Sequence, residues 1–290
     1  SERANQDKVV KYINECREME IAILPPDINS SDVYFTPTKS GIRFGLAAIK
    51  NVGETAITSM VANKPFTSLF DFCERADLRN VNKRVVESLI KAGAFDSVDP
   101  DRALLYANID RAMDWGQRKQ REREVGQGGL FAMMMGAEDG KHILDPADPW
   151  PEGLKLKHEK ETLGFYITGH PLRKYAAEVR TYGNATTGTL SEKPSGFDVS
   201  IGGLVSALRV MRTKKGDLMG VVLLEDWEGI VEVLVFPETY AKVQKLLDTD
   251  APVFVRGKLD NDESSSKILA TDVVPMERVK EMLSRTVTIR

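Results

Sequence analysis

Near Asp198 the hydrophobic pattern of this chain changes from a helical period to an alternating one. Upstream, apolar residues recur at three- and four-residue spacing; downstream, apolar and polar residues alternate, as they do in half-buried strands. Five alternating runs follow: Val199–Met211, Met219–Glu225, Ile230–Phe236, Pro252–Leu259 and Lys267–Val274. A helix-period segment, Pro237 to Leu247, separates the third run from the fourth. Five strands with a helix between the third and fourth is the order of an OB-fold, a small barrel that takes oligonucleotides on its strand 2–3 face and first loop. Two periods in one chain call for two folding units, and 290 residues are enough for both. The expected class is multidomain α+β, a mostly helical domain followed by an all-β OB-fold barrel.

In the upstream part, Val9, Val10, Ile13, Cys16 and Met19 sit at helical spacing within residues 7–24, and Pro25-Pro26 ends that helix. The stretch from Asp27 to Arg43 is turn-rich. Helices are expected from Leu46 to Ile49, Glu54 to Ala62, Leu69 to Ala76 and Asn82 to Ala92, the last with Val85, Val86, Leu89 and Ile90 on one face. Asp99 or Asp101 can cap a long helix with Leu104, Leu105, Ile109, Ala112 and Met113 on its apolar face. That stripe is lost in the charged run Gln117–Glu124, a solvated face. A short amphipathic segment is expected at Lys155–Ile167.

The most informative local string is Ile49-Lys50-Asn51-Val52-Gly53-Glu54-Thr55-Ala56. A short helix, a glycine turn and an immediate second helix make the helix-hairpin-helix pattern. Gly53 would permit the turn's backbone conformation, and the free amides at the new helix start would face a phosphate. Lys50 and Thr55 could add an ammonium and a hydroxyl, and Asn51 and Val52 complete the turn. A second copy is expected at Lys91-Ala92-Gly93-Ala94, with Lys83 and Arg84 nearby; such pairs span both strands of a duplex. Such a site reads backbone shape and not sequence. An ordinary turn between two bundle helices would use the same residues.

Residues 126–152 change character, with Gly, Met, Asp and Pro and no period, and are expected to be a linker. At its mouth stand Gln127, Gly128, Gly129, Leu130 and Phe131. An exposed Leu-Phe pair in polar chain suits a docking peptide whose two side chains enter a partner's apolar pocket. Chance occurrence, or a pair that covers a domain edge, is the alternative. In the barrel, Arg209, Arg212, Lys214 and Lys215 crowd the first loop, where they suit phosphates of single-stranded nucleic acid. The candidate stacking aromatics are Trp227, Phe236 and Phe254, with the last two expected in the core, so weak, sequence-tolerant binding is expected.

Net charge is −3, so nucleic acid must be bound by local patches and not by a global field. Two cysteines, Cys16 and Cys73, make no disulfide framework and fit a reducing, cytoplasmic setting. No run of eighteen apolar residues marks a membrane span. Asp99 with Asp101 and Asp260 with Asp262 have the spacing of a metal-binding carboxylate pair. Each lies where Asp is an ordinary cap or turn residue, so no catalytic residue, metal ligand or cofactor is assigned. His142, His158 and His170 are scattered without zinc spacing.

Taken together, the strings Tyr12–Met19, Leu24–Asn29, Gly45–Gly53, Leu89–Asp96 and Glu159–Leu172 resemble the alpha subunits of bacterial replicative DNA polymerase III. The resemblance runs along essentially the whole chain and implies a C-terminal portion of such a subunit. It implies the end of the fingers region at 1–40, a tandem helix-hairpin-helix domain holding primer–template duplex at 41–125, and a linker with the sliding-clamp motif at 126–152. A connecting segment at 153–197, an OB domain at 198–275 and an extension at 276–290 complete the division. The implied partners are double-stranded DNA, single-stranded template, the sliding clamp and the rest of the holoenzyme, with no membrane. The family's polymerase aspartates, which work with Mg2+, belong to a palm upstream, so this chain is expected to be inactive alone. A non-polymerase nucleic-acid adaptor, or a scaffold whose hairpins pack only on protein, are the rival readings.

Overall fold

A computed structural model describes residues 9, 12–13, 15–16, 19–124, 144–247, 252–262 and 265–283. The chain divides into two compact units, Ser1–Gly169 and His170–Arg290. The residues expected to connect two domains, 153–197, are therefore shared between the units.

The first unit opens with Val9, Tyr12, Ile13, Glu15 and Cys16 in helical conformation. The expected helix through Leu24 is shorter than its spacing suggested. Met19 and Glu20 form a turn, with Glu20 in the left-handed region (φ 57°), and Ile23–Leu24 is a strand, β1. It pairs in parallel with β3 (Gly41–Arg43), which pairs antiparallel with β2 (Thr36–Thr38). The pairing partner lies almost twenty residues downstream, beyond the reach of local periodicity.

Five helices follow, α1 (Glu54–Asn63), α2 (Leu69–Arg75), α3 (Lys83–Lys91), α4 (Arg102–Ala107) and α5 (Ile109–Glu124). Ser68, Asn82 and Asp101 cap α2, α3 and α4, each accepting an amide of the first turn. The single long helix expected after Asp101 is broken at Asn108. This fully buried side chain donates to the carbonyls of Leu104 and Asp145 and accepts from the Asp145 amide at 2.8 Å. Helix α6 (Glu152–Leu163) closes the unit and stops at Gly164, left-handed at φ 91°. The core gathers Phe44, Phe66, Phe72, Phe95, Leu89 and Ile90, and Leu163 at the end of α6 and Phe165 just beyond it join it.

The second unit begins with α7 (Ala176–Tyr182). Then come β4 (Asp198–Arg212), β5 (Leu218–Glu225), β6 (Ile230–Val235), α8 (Pro237–Leu247), β7 (Pro252–Asn261) and β8 (Ser266–Pro275), with α9 (Val279–Leu283) last. The strands close into a barrel in the order β4-β5-β6-β8-β7, with β6 and β8 parallel and the other pairs antiparallel. This is the OB-fold that the alternation predicted. Val222, Leu224, Val233, Val255 and Ile268 fill the interior. Phe254 is fully buried, as expected, whereas Phe236 is 44% exposed and not part of the core. It stands at the junction of β6 and α8, where the strand's alternation has ended.

Candidate nucleic-acid interface

The first hairpin is built from the expected residues by a different route. Its leading element is a single 3-10 turn, Leu46–Ala48, in place of an α-helix. Leu46, Ile49 and Val52 are buried and anchor the turn, so Val52 is a packing residue. The left-handed position belongs to Asn51, at φ 67°, and not to Gly53, which is extended at φ −80°. Asn tolerates that region better than most residues because its short side chain bonds locally. Here it donates to Ser88 Oγ on α3 at 3.1 Å, which ties the first hairpin to the second.

What glycine provides at position 53 is open space. A Cβ built there would meet nothing within 4 Å. Gly53 is the N-cap of α1 and offers no side-chain acceptor to the first-turn amides. Those amides carry the positive end of the helix dipole and have no intrahelical partner. Lys50, Asn51, Gly53 and Thr55 are all exposed around them. Glu54, also exposed in the first turn, is the one acidic group there, and Tyr34 Oη lies 3.3 Å from its carboxylate. The arrangement is a solvent-open helix start with backbone donors, flanked by one lysine.

The second hairpin is closed. Gly93 does occupy the left-handed region (φ 79°), and the Ala94 amide returns to the Leu89 carbonyl at 2.9 Å. Ala92, Gly93 and Ala94 are all buried, however, which corrects the expectation of a second exposed backbone site. The cause is Arg102, whose Nη2 would lie 2.3 Å from a Cβ on Gly93. Its guanidinium covers the turn, held by Asp96 (2.6 and 2.8 Å) and by Glu159 Oε1 (3.1 Å). Glu159, fully buried, also accepts from the amides of Ile167 and Thr168, each at 3.1 Å, and from the Thr168 hydroxyl at 2.8 Å. Neither Arg102 nor Glu159 is conspicuous in the sequence, because 57 residues separate them.

The basic residues of the second hairpin differ in availability. Lys83 pairs with Asp110 at 2.8 Å, and Lys91 pairs with Glu161 at 3.4 Å with its ammonium 5.9 Å from the Tyr106 ring. Arg84 is exposed one turn before Ser88 on the same face of α3, on the side that meets Asn51. Helix α6 braces both hairpins: the Lys50 amide donates to the Thr162 carbonyl at 3.0 Å, and Glu159 and Glu161 reach Arg102 and Lys91. His158, beside these cations and edge-on to Trp150 at 4.3 Å, is held below its usual value by burial and by Lys91.

In the barrel, Arg209, Arg212, Lys214 and Lys215 are exposed around a tight β4–β5 turn, in which Gly216 is left-handed (φ 92°) and Arg212 donates to its carbonyl. Gln127–Phe131 lies outside the described residues. Among the described residues no group of three or more His, Cys, Asp or Glu is placed to hold a metal ion. Asp101 is a helix cap and Asp262 accepts from the Ser265 amide, so each carboxylate has an ordinary structural use. Among them, too, no helix is long and apolar enough to cross a membrane.

Comparison with known proteins adds to this geometry. A family model described as a helix-hairpin-helix motif matches residues 20–105, and one described as an OB-fold nucleic acid binding domain matches 199–276. The DNA polymerase III alpha subunit of Neisseria meningitidis serogroup B is 39% identical over 100% of this chain and 25% of its own length. Those of Pseudomonas aeruginosa and Escherichia coli K12 are 38% and 36% identical over 99% and 98% of this chain. The chain spans about a quarter of the length of these relatives.

Proposed function

Since this chain is homologous over its whole length to about a quarter of the DNA polymerase III alpha subunit, we propose that it supplies such a polymerase's grip on primer–template duplex. The observation that carries this reading is the uncapped first turn of α1, which opens through Gly53 to solvent beside Lys50. A duplex phosphate fills that opening, accepting the free amides, with Lys50 and Thr55 beside it and Arg84 on the neighbouring helix. The second hairpin contributes side chains, not backbone donors. The β4–β5 loop adds a weak phosphate contact to single-stranded template. The Gln127–Phe131 pentapeptide serves as the tether to the sliding clamp, with Leu130 and Phe131 in an apolar pocket. Its two glycines lose chain entropy on docking, so the isolated motif binds weakly and depends on proximity beside DNA. Nucleotide transfer and its Mg2+ belong to other parts of the longer protein. Among the described residues no group of three or more acidic, His or Cys side chains is placed to hold a metal, and a primer-extension assay on this chain alone should show no nucleotide incorporation.

The experiment that tests the grip is salt-dependent binding of a labelled duplex. Lys50→Gln should lower the slope of log affinity against log salt by about one. Gly53→Asp separates binding from folding: a carboxylate at the N-cap strengthens α1 but stands where the phosphate would lie. Duplex affinity should fall at least about tenfold while the melting temperature holds or rises. Binding indifferent to both variants would leave the hairpins as scaffold.

A further inference from the structure

Lys83 and Lys91, near the second hairpin, are committed to Asp110 and Glu161. Lys50 and Arg84 are exposed and have no side-chain partner among the described residues. One lies in the first hairpin and the other on α3, yet a single hydrogen bond joins the residues beside them. Asn51 follows Lys50 in the chain, and its Nδ2 donates to Ser88 Oγ at 3.1 Å. Ser88 stands one turn beyond Arg84 on the same face of α3.

The backbone at this point is unusual. Glu20 and Asn51 are the two non-glycine residues with positive φ among the described residues. In the second hairpin the left-handed position is a glycine, Gly93, which adopts that conformation freely. An asparagine forgoes that ease, and the use its side chain finds is the bond to Ser88. The acceptor is fixed in place, since Ser88 is only 3% exposed. On the other side the Lys50 amide is held by the Thr162 carbonyl. The first hairpin is therefore tied to α6 by its backbone and to α3 by one side chain.

We propose that Asn51 is a positioning residue for duplex DNA: its bond to Ser88 holds Lys50 and the first-turn amides of α1 at a fixed spacing from Arg84, so that the two hairpins take two phosphates as one site. Neither cation is paired with an acid, so each can neutralise a phosphate. Once one phosphate is held, the second contact is intramolecular and correspondingly cheap. Only the backbone of the duplex is involved, so the coupling is indifferent to base sequence. This role rests on the duplex grip at α1 and adds to it the link between the hairpins.

The test uses the whole chain and a short fluorescein-labelled duplex, with anisotropy read over a range of salt. Ser88→Ala and Asn51→Gly break the bond from its two ends. The first puts a good helix former inside α3, and the second keeps the left-handed backbone without steric cost. Thermal melts verify that both variants fold. Each should weaken binding at least about fivefold and lower the slope of log affinity against log salt by about one. The decisive variant is Arg84→Gln. In the parent chain it should lower the slope by about one, whereas added to Ser88→Ala or Asn51→Gly it should change nothing further. A bond that served folding alone would not silence Arg84. If Arg84→Gln is silent in the parent, or costs the same in all three backgrounds, the coupling is overturned. It is overturned too if Ser88→Ala and Asn51→Gly bind as the parent does. Lys50→Gln and Gly53→Asp distinguish that failure from failure of the grip: they weaken binding if the grip stands, and are silent if it does not.

Discussion

Arg102 and Glu159 form an ion pair at 3.1 Å whose side chains are only 4% and 0% exposed. Burial by itself would disfavour the charge on Arg102, yet Asp96 and Glu159 together hold its ionisation above the usual arginine value. Removing Glu159 leaves Arg102 with the half-exposed Asp96 alone and takes the acceptor from the Ile167 and Thr168 amides, at a cost of about 3–5 kcal/mol. Glu159→Ala should therefore destabilise the first unit by roughly that amount in urea melts. Combining Arg102→Met with Glu159→Leu should recover a large part of the loss. If the double variant is as unstable as the single one, the pair is not what holds α6 to the second hairpin.

The two hairpin glycines should differ in how much they lose on replacement by alanine. Gly93→Ala forces a left-handed alanine and drives a Cβ into Arg102, so a loss of about 1–3 kcal/mol is expected. Gly53→Ala meets neither obstacle and changes only a helix cap, worth about 1 kcal/mol or less. Differential scanning calorimetry on both variants distinguishes the cases.

His158 makes the first unit acid-sensitive. Burial, then the charge of Lys91, lower its proton affinity in the folded state. Its Nδ1 is buried without a hydrogen-bond partner. The folded state binds the proton less well than the unfolded chain, so this contribution is complete above the unfolded value of about 6.5. It declines as pH falls below that value towards the lowered folded one. Melts taken from pH 7.5 down to 5.5 should show Tm falling, and His158→Gln should flatten that part of the profile.

Asn108 marks the break between α4 and α5, and its amide serves backbone groups 37 residues away. Asn108→Leu leaves the Asp145 amide and two carbonyls to find water, and a loss of about 2–3 kcal/mol is expected. Hydrogen exchange at the Asp145 amide should rise sharply in the variant; unchanged protection would refute the assignment.

The barrel was legible because each of its strands carries its own alternation, and the helix before β7 fixes the order. The hairpin string 49–56 was legible for the same local reason. What escaped was every feature set by a distant partner. Asn108 breaks a helix for Asp145, Ile23–Leu24 becomes a strand for Ile42, and Gly93 is shut by Arg102 under the hold of Glu159. At Gly53 the structure shows open space and an extended backbone, not the special conformation expected there; the left-handed position is Asn51, which carries no glycine signal.

The reliance of Arg102 on Glu159 also bears on how the protein is made. Synthesis proceeds from the N-terminus at about 5–20 residues per second, so both hairpins leave the ribosome several seconds before α6 does. In that interval Arg102 has Asp96 but not Glu159, and the carbonyl that receives the Lys50 amide does not yet exist. The nascent hairpins can form turns and helices, but they settle into a fixed pair only after residue 168 emerges to complete the Glu159 network. A chain cut or stalled between α5 and α6 would hold Arg102 by Asp96 alone, without the carboxylate that joins it to the amides of Ile167 and Thr168.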